Sequence, residues 1–379
     1  MLERRSLENL ISISRHPVLA PAVRTLQVCI DHLVDPELLS GPEGNRDGVD
    51  EVLDEMLQSG GHDTQDMDIG RSDVPYVDIE APCVNIEAYA ALYEEQKHMF
   101  ESDRDKEYLT LAMTGLANCK KIILGDRPRP WGAAYILKQT GYYPSRSMET
   151  WRYHSVDFVK RALHVSLLSA MDSGLPLREL SIDFGTLRDD CDRITPDMLA
   201  LPEFDALRMR SPFTSLVHLK LLVNTEYYRG NWETNLVHFI LLFVSLSHLE
   251  ISFEYHDEHV LFPRLCEILC VPTLEVLDLD SVDCTESELA KLLLAHKNTL
   301  KQVSLSYIGF IAGGGDWVSL IHTIRDTLSL EYFKLGQCTQ YSAARKCIFP
   351  DEGFRFVQHA EDWQRLIDLI LATVTTPDA

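Results

Sequence analysis

The residues best suited to chemistry are few. Tyr255-His256-Asp257-Glu258-His259 groups two imidazoles with two carboxylates, donors a divalent metal accepts. The spacing matches neither His-Glu-x-x-His nor its inverted form, so a solvated loop after a strand is the simpler reading. Cys266 and Cys270 stand four apart on a predicted helix, hence on one face, where core thiols explain them better than a redox pair. Asp66, Asp68 and Gly70 imitate a calcium loop without its spacing or its closing Glu. Gly313-Gly314-Gly315 lacks the Lys-Ser/Thr of a phosphate loop and reads as a turn. Arg127-Pro128-Arg129-Pro130-Trp131 is either an aromatic-basic epitope or, more simply, a loop with Trp131 packed on the body. No Gly-x-Ser-x-Gly occurs, and the 14 histidines show no nucleophile-base spacing. The chain is therefore expected not to be an enzyme, with no catalytic residue, cofactor or metal site.

What the sequence does contain is a repeated apolar spacing: apolar, two residues, apolar, one residue, apolar. It reads Leu177-Leu180-Ile182, Leu216-Leu219-Leu221, Leu246-Leu249-Ile251, Leu274-Leu277-Leu279, Leu300-Val303-Leu305 and Leu330-Phe333-Leu335. The first residues of the copies lie 39, 30, 28, 26 and 30 apart. Helix-like segments precede the later copies, giving one short strand and one helix per unit. That is the signature of a leucine-rich repeat. The expected fold is α/β, a solenoid with irregular repeats, one curved parallel sheet and outer helices.

Near the N-terminus Ser6–Ser14 reads as a helix ended by His16-Pro17, and Val23-Leu26-Val28 repeats the strand spacing. Residues 1–35 thus form a first helix–strand unit. Residues 36–78 carry 12 Asp and Glu against Arg46 and Arg71 and are poor in apolar side chains. They are expected to be an acidic disordered insertion, with order resuming near Val74–Pro82. Residues 79–379 form the repeat domain. In it Ile86–Phe100, Glu107–Ala117 and Val156–Met171 read as helices, Ala133–Leu137 as a helical turn, and Cys119-Ile122-Leu124 as a degenerate strand. Thr285 with Glu288 is a capping box ahead of Leu289, Leu292, Leu293 and His296. Asp316 is an N-cap before Trp317, Leu320, Ile321 and Ile324. Residues 360–374 form a C-terminal capping helix with Trp363, Leu366, Ile367, Ile370 and Val374 on one side.

Of the 379 residues 45% are hydrophobic, enough for a large core, and the net charge is −23. Such an acidic chain repels phosphate backbones, so no nucleic-acid partner is expected. Charged and polar residues interrupt Met1–Leu10 early, so a signal peptide is not expected there, and the most apolar stretch, Leu236–Leu249, contains His238, Ser245 and His248 and is too short to span a bilayer. No membrane partner is expected. Nine scattered cysteines, an odd number, with no Asn-x-Ser/Thr sequon, fit reduced thiols in a cytoplasmic or nuclear protein.

Side chains alternate along a strand, so residues between the core leucines face out onto a concave sheet. One outward row reads Glu179, His218, His248, Val276, Gln302, Tyr332. The central row reads Ser181, Lys220, Glu250, Asp278, Ser304, Lys334, and the third Asp183, Leu222, Ser252, Asp280, Ser306, Gly336. An ordinary solvated face accounts for these rows. As a partner groove, the binding residues are Lys220, His248, Glu250, Asp278, Asp280, Gln302, Ser304, Tyr332 and Lys334. The groove is acidic around Glu250, Asp278 and Asp280 and would favour a basic or mixed-polarity protein.

The unit of about 26 residues with its Cys284-Thr285 step resembles the cysteine-containing leucine-rich repeats of F-box proteins. Arg5–Leu10, Ile13–Pro17, Leu274–Cys284 and Ser304-Tyr307-Ile308-Gly309-Phe310 resemble the F-box/leucine-rich-repeat-like proteins of filamentous fungi. The resemblance implies a non-enzymatic interaction module, the substrate-recognition part of a cullin-type ubiquitin ligase. That family opens with an F-box that docks on a Skp-type adaptor. Here no Leu-Pro-x-Glu-(Ile/Leu) motif precedes Arg5, so adaptor docking by this chain is not expected. The alternative is a stand-alone repeat scaffold with no ubiquitin role.

Overall fold

Each copy of the apolar spacing becomes one strand, and successive strands lie side by side. The structure, a computed structural model, describes residues 3–39, 85–125, 131–142, 144, 153–183, 194–201, 212–225, 232–253, 262–342, 345–348 and 360–375. The strands are β1 (Thr25–Cys29), β2 (Lys121–Gly125), β3 (Glu179–Asp183), β4 (His218–Val223), β5 (His248–Phe253), β6 (Val276–Cys284), β7 (Gln302–Phe310) and β8 (Tyr332–Gly336). All eight pair in parallel, in chain order. A parallel neighbour requires a return connection, and helices supply most of these. The result is a leucine-rich-repeat solenoid.

The register aligns the leucine positions across the sheet: Ile122, Leu180, Leu219, Leu249, Leu277, Val303 and Phe333 face one another in turn. All seven are fully buried. The helices are α1 (Arg4–Arg15), α2 (Pro36–Leu39), α3 (Ile86–Glu101), α4 (Arg104–Thr114), α5 (Trp131–Thr140), α6 (Tyr153–Asp172), α7 (Trp232–Ile240), α8 (Pro263–Ile268), α9 (Glu286–Ala295), α10 (Trp317–Thr327) and α11 (Ala360–Thr375). Most of their apolar sides join the strand leucines in one core running from Leu7 to Ile370, while Tyr89 of α3 and Ile136 of α5 form a smaller second cluster with Leu33. Burial of this kind stabilises each repeat only through its neighbours, so no unit stands alone.

Both expected helix starts are present. Thr285 accepts from the Glu288 N–H while Glu288 accepts from the Thr285 N–H, and Asp316 accepts from the Ser319 N–H. At the C-terminal end α11 lays Trp363, Leu366, Ile367 and Ile370 against the last repeat, with the Trp363 and Phe333 rings 5.5 Å apart. The solenoid ends less regularly than its repeats predict. A hairpin of β9 (Thr339–Ser342) and β10 (Arg345–Ile348) follows β8, and β9 joins β7 through Gly309–Thr339. Helix α5 spans ten residues where a single turn was expected. Of the acidic segment, Pro36–Leu39 forms a helical turn; residues 40–84, including Val74–Pro82, lie outside the described residues.

Three residues past the last leucine, the repeat consensus places Asn or Cys. Asn224 and Cys338 hold that position in the repeats of Leu216 and Leu330, and both are buried. The Cys338 thiol lies 3.5 Å from the carbonyls of Leu305 and Gly336, which it tethers where the strand bends. Cys284 does not hold this position: Val282 does, and Cys284 ends β6 opposite Phe310. The bend also imposes left-handed backbone on non-glycine residues. Ser281 and Tyr307 lie between the Asp280–Ser306 and Val282–Ile308 pairs of β6 and β7 with φ of 58° and 53°, and Gln337 follows β8 with φ of 49°.

Candidate functional site: a polar ladder on the sheet face opposite the leucines

With the leucines turned to the helices, the alternate residues of β2 to β8 point to the other face of the sheet. Adjacent strands lie about 4.8 Å apart, which brings residues in the same row within reach. The pairing reproduces all three expected rows from β4 to β8. In the first row Lys121, Glu179, His218 and His248 stand in line.

The side chains form a chain of contacts. Lys121 pairs with Glu179. Glu179 Oε1 lies 3.6 Å from His218 Nδ1. The rings of His218 and His248 stack in parallel, 3.9 Å between centroids and 5° between planes. Glu250 Oε1 sits 2.7 Å from His218 Nε2 and 3.3 Å from His248 Nε2. Asp278 Oδ2 lies 3.3 Å from His248 Nε2. Alongside, Lys220 Nζ donates to Asp183 at 2.7 Å, and the hydroxyls of Ser252 and Ser281 donate to Asp280 at 3.1 and 2.7 Å.

These contacts set the charge of the face. The bond to His218 holds the Glu250 carboxyl below its usual range, against the opposing effect of burial. Burial alone would lower Lys220, but Asp183 and Glu250 outweigh it and keep the ammonium above its ordinary value. Glu250 therefore has His218 and Lys220 as local counterparts, and Asp183 pairs with Lys220. The acidic centre expected around Glu250, Asp278 and Asp280 is thus shifted toward the two aspartates. Gln302, Ser304, Tyr332 and Lys334 continue the rows on β7 and β8. Three positions of the expected rows offer nothing to a partner: Ser181, Leu222 and Gly336 are buried.

His218, Glu179 and Asp183 belong with this cluster, although the groove residues read from the sequence did not include them. Register would have found them, because His218 directly neighbours His248. The remaining chemical motifs resolve structurally. Cys266 is buried, whereas Cys270 lies beyond the end of α8 and is exposed, so the two do not share a helix face. Burial pushes the Cys338 thiol up to about 12 and raises Cys266 and Cys284 as well, which suppresses thiolate chemistry. The triple glycine turns into α10 against Glu286, which accepts from the Asp316 N–H. Tyr255–His259, Arg127–Pro130 and Asp66–Gly70 lie outside the described residues, as does the Trp131 side chain. Among the described residues no helix is long and apolar enough to cross a membrane.

No protein-family model matches the chain, and no curated protein matches it. Among solved structures, it is similar to the leucine-rich repeat-containing protein LegL7 from Legionella pneumophila. The identity is 11%, the TM-score 0.33, and the match covers 72% of this chain and 78% of that one.

Proposed function

We propose that this chain is a non-enzymatic protein-interaction module that holds a partner on the face of its sheet opposite the buried leucines. The observation that carries this reading is the set of half-buried polar side chains in strict register from β2 to β8. One sheet presents them as a single ordered surface. Such faces are how repeat solenoids bind extended partners. The partner is a protein with basic or mixed polarity facing Asp278 and Asp280. Nucleic acid and membrane are disfavoured by the −23 charge, and the place of action is cytosol or nucleus. The finer reading is substrate recognition for a cullin-type ubiquitin ligase, on the F-box-like resemblance of the repeats.

A stand-alone scaffold is the second reading. It is supported by α1, whose Leu7 packs in the common core with the repeat leucines. Proximity labelling in cells should return partners that are lost from an Asp278→Lys/Asp280→Lys variant with an unchanged melting curve. Partners retained in full by that variant would refute docking on this face. A pull-down with purified Skp adaptor separates the two finer readings. We expect no capture by this chain, and stoichiometric capture would reinstate the ligase role.

A further inference from the structure

We propose that His218, His248 and Glu250 form a binding site for a zinc-class divalent transition ion, with Asp278, now beside His248 alone, swinging in to complete the set. The site shares His248, Glu250 and Asp278 with the proposed docking face, but metal binding needs no docked partner, so a titration of the isolated chain tests it separately. One ligand atom from each of the first three lies within 4.8 Å of the others. All sit on adjacent parallel strands whose register is fixed by buried leucines, so the backbone is already arranged.

The spacing suits a small ion. Ligand atoms about 2.0–2.1 Å from a tetrahedral zinc stand roughly 3.3 Å from one another. The His248 Nε2 distances to Glu250 and Asp278 are both 3.3 Å already. The His218–Glu250 contact of 2.7 Å must open by about 0.6 Å, which rotation of two half-exposed side chains permits. The two stacked rings must also tilt apart for their lone pairs to converge. Two imidazoles and two carboxylates suit zinc, copper or nickel and not magnesium or calcium, which take oxygen donors. Outside the ligands, Glu179 faces the other ring nitrogen of His218, and Lys121 steadies Glu179. A carboxylate behind a ligating histidine is the usual means of fixing its tautomer.

The test uses the full chain, stripped of metal by dialysis against a chelator and titrated calorimetrically with Zn²⁺ at pH 7.5. One saturable site per chain is expected. His218→Gln/His248→Gln and, separately, Glu250→Gln should weaken it at least about tenfold while leaving the melting curve in place. Affinity should also fall on acidification, because the ligand atoms must be free of protons to bind the ion. Glu250→Gln keeps its shape and decides the matter should the double variant not fold. Cobalt loading gives a second readout, a tetrahedral visible spectrum without a thiolate charge-transfer band. Absence of saturable binding, undiminished binding in Glu250→Gln, or a thiolate band would each overturn the assignment.

Discussion

His296 shows how much one enclosed side chain settles. It caps α9, and both ring nitrogens are engaged: Nδ1–H donates to the Leu292 carbonyl at 2.8 Å, and Nε2 accepts from the Val271 N–H at 2.9 Å. One neutral tautomer satisfies both bonds, and protonation would set a ring N–H against a backbone N–H. Burial already holds its pKa below the usual imidazole value. In the unfolded chain the ring binds its proton more tightly than in the folded one. Its contribution is thus complete above about pH 6.5 and is lost as pH falls through the lower folded value. We expect the wild-type melting temperature to fall over that window and His296→Ala to flatten the response. At neutral pH the variant should cost about 1–3 kcal/mol, chiefly from the orphaned Val271 N–H. Melts between pH 7.5 and 5 check both; an unaltered slope in His296→Ala would assign the acid sensitivity elsewhere.

Individual elements divide their residues sharply. In β6, Leu277 is buried among the repeats and Asp278, next in sequence, opens to the ladder. Leu277→Ala should cost roughly 2–5 kcal/mol through lost burial and a cavity. Asp278→Ala should move stability by no more than about 0.5 kcal/mol. Urea unfolding of the pair tests the strand faces, and the reverse order would mean that they are assigned backwards. At the helical layer, α4 meets α1 at Gly115, where an added Cβ would stand 2.4 Å from the Ser14 carbonyl oxygen. That neighbour is backbone and cannot swing aside. Gly115→Ala should therefore push the two helices apart at a cost of about 1–3 kcal/mol, and Gly174→Ala is a contrast. At Gly174 the space is open and only the positive φ resists.

Across the whole molecule, one core links α1 and β1 to the repeats that follow the acidic segment. Leu26 and Val28 pack in the same cluster as Met99, Leu109 and Ile122. Closure entropy changes slowly with loop length, so a shorter connection should serve equally well. We expect deletion of residues 41–70, bridged by a short Gly-Ser linker, to leave the melting temperature within a few degrees. Loss of the cooperative transition would show instead that the segment is structural. Because each repeat is stabilised by its neighbours, loss of α11 should cost more than its own burial. Trp363 and Ile370 cover Phe333 and the last repeat.

The repeat spacing determined the architecture from sequence alone, because strand alternation and the leucine period leave one way to bury Leu219, Leu249 and Leu277 together. The same alternation fixed the outward rows, and local capping chemistry fixed the starts of α9 and α10. Asn224 and Cys338 were legible too, three residues past a leucine, had the spacing been carried on. Two things needed the tertiary structure. The hairpin after β8 follows from contacts with β7 that no local pattern encodes. The stacking of His218 on His248 around Glu250 depends on side chains 30 or more residues apart in the chain. Only strand register brings them together, and it is set by the buried leucines on the opposite face of the sheet.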